Sequence, residues 1–132
     1  MLEFSSEKVV GKVTIEVDIT EENIENIIVT ALEGGCNYWL GIICKKAQFA
    51  DKPKGEPTAT WVTKLLLEGQ EIECFDVEDT TEPHWTLTLE KLLKGITLHV
   101  EERPEFIDID DWDADNADCA IQCALFGKLV YS

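Results

Sequence analysis

The chain has 132 residues and a formal net charge of −16, from 27 acidic against 11 basic side chains. That length fits a single domain, 1–132, able to bury a core without disulfide or metal staples. The charge argues against direct nucleic-acid binding, which needs a basic footprint, and against docking on an anionic membrane. Apolar residues make up 45 % of the sequence, far above a disordered composition.

In chain order, the start from Met1 to Glu7 has neither the basic region nor the apolar run of a signal peptide. Lys12 to Asp18 alternates, with Val13, Ile15 and Val17 on one face and Thr14, Glu16 and Asp18 on the other, and predicts a half-buried strand. Thr20 offers a helix N-cap, followed by Glu21 and Glu22 at the positive end of the dipole. Ile24, Ile27, Ile28, Ala31 and Leu32 then fall on one helical face, and Gly34-Gly35 ends it. Tyr38 to Cys44 is apolar on both sides and predicts a central strand.

The segment 45–58 holds two prolines, a glycine and four lysines (Lys45, Lys46, Lys52, Lys54) and predicts a flexible loop. Ala59 to Leu67 and Gln70 to Val77 suggest the arms of a hairpin turning near Glu68-Gly69, with a bulge between Glu73 and Phe75. Asp79 to Pro83 is a second loop. Thr88 can cap a helix whose face is Leu89, Leu92, Leu93, Ile96 and Val100, weakened by Gly95 by about 1 kcal/mol relative to alanine. Glu105 to Asp113 is expected to be irregular. Asp115 is the candidate cap of a last helix with Ala117, Ala120, Ile121, Ala124 and Leu125 inward, closed by Gly127, and Lys128 to Tyr131 suits a short edge strand. The expected architecture is α+β, a small mixed or antiparallel sheet with about three helices in the order β-α-β-β-β-α-α-β.

The least ordinary feature is acidic. Glu101, Glu102, Glu105, Asp108, Asp110, Asp111, Asp113, Asp115 and Asp118 stand against the single Arg103, about half the net charge in one short tract. Carboxylates spaced along a surface can stand in for the phosphates of a duplex and occupy a basic groove, with attraction that is long-range and sensitive to salt. The first eight of them, with Trp112 as an aromatic anchor, form the candidate partner-binding set. A plain solvated surface explains the same charges. Asp111, Asp113 and Asp115 also match the opening ligand positions of a calcium-binding EF-hand loop, but Asn116 stands where that loop needs glycine and Gln122 where it needs a bidentate glutamate.

Gly34 to Trp39 offers an alternative ligand site, in which Asn37, Tyr38 and Trp39 at a helix-to-strand turn could bond and stack a base. The five cysteines are odd in number and form no CxxC pair, which points to free thiols in a reducing, cytoplasmic setting. Cys119 and Cys123 lie four apart, but no paired short-spaced motif joins them to His84 or His99 as a zinc site. Phosphate-binding loops and a serine nucleophile elbow are absent. The expectation is therefore a non-enzymatic protein with no cofactor and no metal.

Three stretches carry a resemblance: Ala31-Leu32-Glu33-Gly34-Gly35-Cys36-Asn37-Tyr38-Trp39, then Trp85 to Ile96, then Asp113-Ala114-Asp115-Asn116-Ala117-Asp118-Cys119-Ala120-Ile121-Gln122-Cys123-Ala124-Leu125-Phe126-Gly127. In this order they resemble small acidic proteins of clostridial-type Gram-positive phages and prophages. The resemblance implies a phage origin and a bacterial cytoplasm, and implies no particular activity. Small acidic phage proteins are often inhibitors of host defence, so the functional expectation is a counter-defence, anti-CRISPR-like inhibitor, in one version a DNA mimic. Its partner would be a basic nucleic-acid-binding defence effector, and a homo-oligomer is compatible with this. The alternatives are a sponge for a nucleotide signal and a structural or regulatory phage protein.

Overall fold

A computed structural model describes residues 6–79 and 84–131. The second predicted loop, Asp79 to Pro83, therefore falls almost wholly outside the described residues. Among them are helices α1 (Glu21–Thr30), α2 (Lys46–Ala50), α3 (Thr58–Leu67), α4 (Leu89–Glu102) and α5 (Ala114–Phe126), and strands β1 (Leu40–Ile43), β2 (Ile72–Asp76) and β3 (Trp85–Leu87). The α+β class holds, as a three-stranded antiparallel sheet in the order β1-β2-β3. The number of helices and the strand order differ from expectation.

Helix α1 forms for the reasons its sequence suggests. The Thr20 hydroxyl accepts the Asn23 amide at 3.1 Å, and the Asn23 side chain accepts the Thr20 amide at 3.0 Å, so two otherwise orphaned donors are satisfied. Ile24, Ile27, Ile28 and Ala31 are buried along one face. A π-helical turn, Ala31–Gly35, then delivers the chain to β1. Strand β1 lies at the edge and β2 at the centre, which corrects the expectation for Tyr38 to Cys44. Its second face is closed by the Phe75 ring, which sits where a Cβ on Gly41 would have to go.

Ala59 to Leu67 is a helix and not a hairpin arm. Ala59, Val62, Thr63, Leu65 and Leu66 are buried in α3, a helical period that the β-branched residues disguise as alternation. The Thr63 hydroxyl hides its polarity by donating to the Ala59 carbonyl at 2.9 Å. Pro57 precedes the first turn, and Gly69, at φ +86°, ends the helix. No bulge interrupts β2, because Ile43 to Gly41 pair continuously with Glu73 to Phe75. The lysine-rich segment contains α2, anchored where Gln48 bonds Gln70 and the Glu71 carbonyl.

Helices α4 and α5 make the most extensive helix pair. The buried face of α4 is Leu92, Gly95, Ile96 and His99, so Leu93 points outward against expectation. Gly95 sets the closeness of the pair: a Cβ there would lie 2.3 Å from the Ala120 carbonyl oxygen and 2.6 Å from the Ala124 nitrogen. The cap of α5 is Asp113, whose carboxylate accepts the Asn116 amide at 3.0 Å, and not Asp115. Between α4 and α5 the acidic stretch forms two 3-10 turns, Pro104–Phe106 and Ile109–Asp111.

Two predicted strands are absent among the described residues. There Lys12 to Asp18 joins no sheet, and Lys128 to Tyr131 is a tail laid across the core without strand pairing. No helix among the described residues is long and apolar enough to cross a membrane.

Candidate functional site

The acidic tract occupies the end of α4, the two 3-10 turns and the start of α5. Glu101, Glu102, Glu105, Asp108, Asp110, Asp111, Asp113 and Asp115 are all exposed. Half of them have local structural roles. Asp108 accepts the Asp110 amide, Asp110 accepts the Asn23 side-chain amide of α1 at 2.7 Å, Asp113 caps α5, and Glu105 pairs with Arg103. Its own backbone amide and Arg103 hold the Glu105 carboxyl below the usual range. The carboxylates of Glu101, Glu102, Asp111 and Asp115 make no hydrogen bond or ion pair among the described residues, so their charge faces solvent uncompensated.

Trp112 sits inside this tract, half-buried. Its indole N–H donates to the Phe106 carbonyl at 2.7 Å, and its ring meets His99 edge-on at 5.2 Å. His99 stacks on Phe106 and lies 2.8 Å from the Asn116 side-chain oxygen. This small aromatic stack ties α4 to the turns and fixes the carboxylates on them. Trp112 also lines a cleft of about 190 Å³ against α1, with Asp110 and Asp113 at its rim.

The alternative site is arranged differently from its sequence reading. Trp39 is 1 % exposed, and its face is stacked on Tyr131 at 4.6 Å and 10°. The indole N–H donates to Asp118 at 2.8 Å. Tyr38 keeps an exposed ring, but its hydroxyl donates to the same carboxylate at 2.7 Å. Asn37 is exposed. The platform that a base would need is already taken by the protein's own tail, and the adjoining surface depression is lined by the carboxylates Asp76 and Glu78.

Sequence reasoning missed Asp118 as an organising residue. Its carboxylate accepts from Tyr38, from Trp39, from the Gln122 side chain at 2.9 Å and from the Cys36 thiol at 3.5 Å. Gln122, 1 % exposed, also holds the tail, accepting the Val130 and Tyr131 amides at 2.7 and 2.8 Å and donating to the Tyr131 carbonyl at 3.2 Å. The Tyr131 hydroxyl in turn donates to Asp76 at 2.7 Å. The available signal was the spacing of Asp118 and Gln122, four apart on a helix whose inner face also carries Ala117, Ala120 and Ile121.

All five cysteines are free thiols. Burial pushes the Cys74 thiol up to about 12, and burial together with Asp118 raises Cys36 further. Cys44, Cys119 and Cys123 are raised as well, chiefly by burial. In each case burial favours the neutral thiol over the thiolate. Among the described residues no three His, Cys, Asp or Glu side chains gather as a metal site requires.

In comparisons with known proteins, no family model, no curated protein and no solved structure matches this chain.

Proposed function

We propose that this chain is a non-enzymatic, phage-type accessory protein that binds a basic host protein through the face formed by Glu101 to Asp115. A nucleic-acid-handling defence effector, of the CRISPR kind or another nuclease, is the partner class that a row of phosphate-like carboxylates fits. The observation that carries the reading is the acid-rimmed cleft beside Trp112. Asp110 and Asp113 flank an indole held rigidly by Phe106, an arrangement suited to one arginine or lysine of a partner through charge and ring face together. Around it, the uncompensated Glu101, Glu102, Asp111 and Asp115 supply steering.

The test uses host lysate and the purified chain, followed by binding measurements on the captured protein across ionic strength. A basic partner should bind tightly at low salt and lose affinity steeply as salt rises. The variant Glu101→Gln, Glu102→Gln, Asp111→Asn, Asp115→Asn should melt at or above the wild-type temperature and weaken binding about tenfold or more, as loss of steering charges does. Affinity that is unchanged by salt and by this variant would overturn the acidic-face reading.

A further inference from the structure

The segment from Lys12 to Asp18 has the pattern of a strand and no strand beside it. No backbone hydrogen bond joins Lys8 to Ile19 to a neighbouring strand among the described residues. Its apolar side chains face water to an unusual degree, with Val13 88 % and Ile15 65 % exposed. An exposed segment with alternating apolar side chains and no sheet partner is a template for strand addition. Further along, Ile15, Val17 and Ile19 form one wall of a groove of about 300 Å³, whose other wall includes Leu93, Val100 and Ile107. The outward turn of Leu93 on α4 belongs to this groove and not to the core.

We propose that Lys12 to Asp18 is a dimer contact: two copies of this chain pair antiparallel through it, centred on Thr14, and the shared ribbon closes the groove beside α4. The occupant is a second copy because the segment complements itself in charge. Lys12 to Asp18 carries Lys12 against Glu16 and Asp18, a net of −1 beside −16 for the whole chain, so two copies meet there with little repulsion.

The sequence is also complementary to itself when reversed. Centring on Thr14 sets Lys12 opposite Glu16 of the second copy, twice by symmetry, and Val13 opposite Ile15, also twice. Opposite-charge and β-branched cross-strand pairs of this kind stabilise antiparallel ribbons. A two-stranded ribbon alone is marginal in water. Here the residues that pair on the apolar face, Val13 and Ile15, belong to the same face as Val17, so the second copy's pair extends the wall over the groove.

The test is sedimentation of the full chain from micromolar to near-millimolar concentration. Wild type should show a reversible monomer–dimer equilibrium. Lys12→Glu alone and Glu16→Lys alone each replace two attractive pairs by two repulsive ones and should weaken the dimer about tenfold or more. An equimolar mixture of the two variants restores both attractive pairs and should return the wild-type affinity. Ile15→Asp should abolish the dimer, and circular dichroism should show every variant folded, since these side chains are exposed. A wild-type chain that stays monomeric throughout overturns the proposal, including the case in which this segment joins a different protein's sheet. A mixture no tighter than its components overturns the antiparallel register.

Discussion

Asp118 was counted in the sequence as one more surface charge of the acidic tract, yet it is the residue around which the middle and the end of the chain meet. Composition registers a carboxylate and is blind to which side of a helix it faces; only its pairing with Gln122 at helical spacing hinted at an inward position. Removing it leaves the buried Trp39 donor without an acceptor and takes one of two acceptors from the Gln122 amide, and orphaned buried donors are costly. Asp118→Ala should therefore lower stability by about 3 kcal/mol, read as a reduced urea midpoint. Asp118→Asn keeps an oxygen for Trp39 and should cost roughly 1 kcal/mol, mostly at Tyr38. Equal stability of the alanine variant and wild type would show that the hub is replaceable by water. The carboxylates on the outside were legible from the start, because exposure is the default for charge.

Among the elements, α1, α4 and α5 were legible because each carries a helical apolar period and a capping residue at its entrance. The misread elements are those where local pattern and long-range packing part company. In α3 the run Thr58-Ala59-Thr60-Trp61-Val62-Thr63 favours a strand by its residue types, and tertiary burial of Val62, Leu65 and Leu66 overrides this. For Lys12 to Asp18 the alternation is real, but alternation cannot name a partner. The tail Lys128 to Tyr131 was expected to find a strand and instead is held by Gln122 and by the Tyr131–Asp76 hydrogen bond.

That last bond gives the tail a pH window. The Tyr131 hydroxyl holds the Asp76 carboxyl below its ordinary value of 3.8, so this stabilisation is present above that value and is lost as pH falls through the lowered one. Burial and Asp76 push the Tyr131 hydroxyl from 10 up to about 12, so on the alkaline side the stabilisation is complete below 10 and is lost as pH rises toward 12. Tyr131→Phe should melt below wild type across the neutral range, with the gap closing at both extremes. A gap independent of pH would mean that ring packing on Trp39, and not the hydroxyl, carries the tail.

At the scale of the whole molecule, charge is poorly compensated. Among the described residues the ion pairs are Lys64–Glu56 and Arg103–Glu105, against a net charge of −16. Such an excess of one sign destabilises the compact state through self-repulsion. Raising salt to about 1 M, where the Debye length is roughly 3 Å, should lift the melting temperature by several degrees. A flat or falling melting temperature would indicate that the carboxylates are already neutralised by bound cations. Screening that stabilises the fold would weaken the proposed partner complex, so the two effects of salt run in opposite directions and separate folding from binding.

The tail has a further consequence, in light. Trp39, Trp85 and Phe126 form an aromatic floor whose cover is Tyr131, stacked on the Trp39 ring. Lifting the tail would open one face of an indole that is otherwise sealed from water. The emission of Trp39 is thus an optical report on whether the tail is docked.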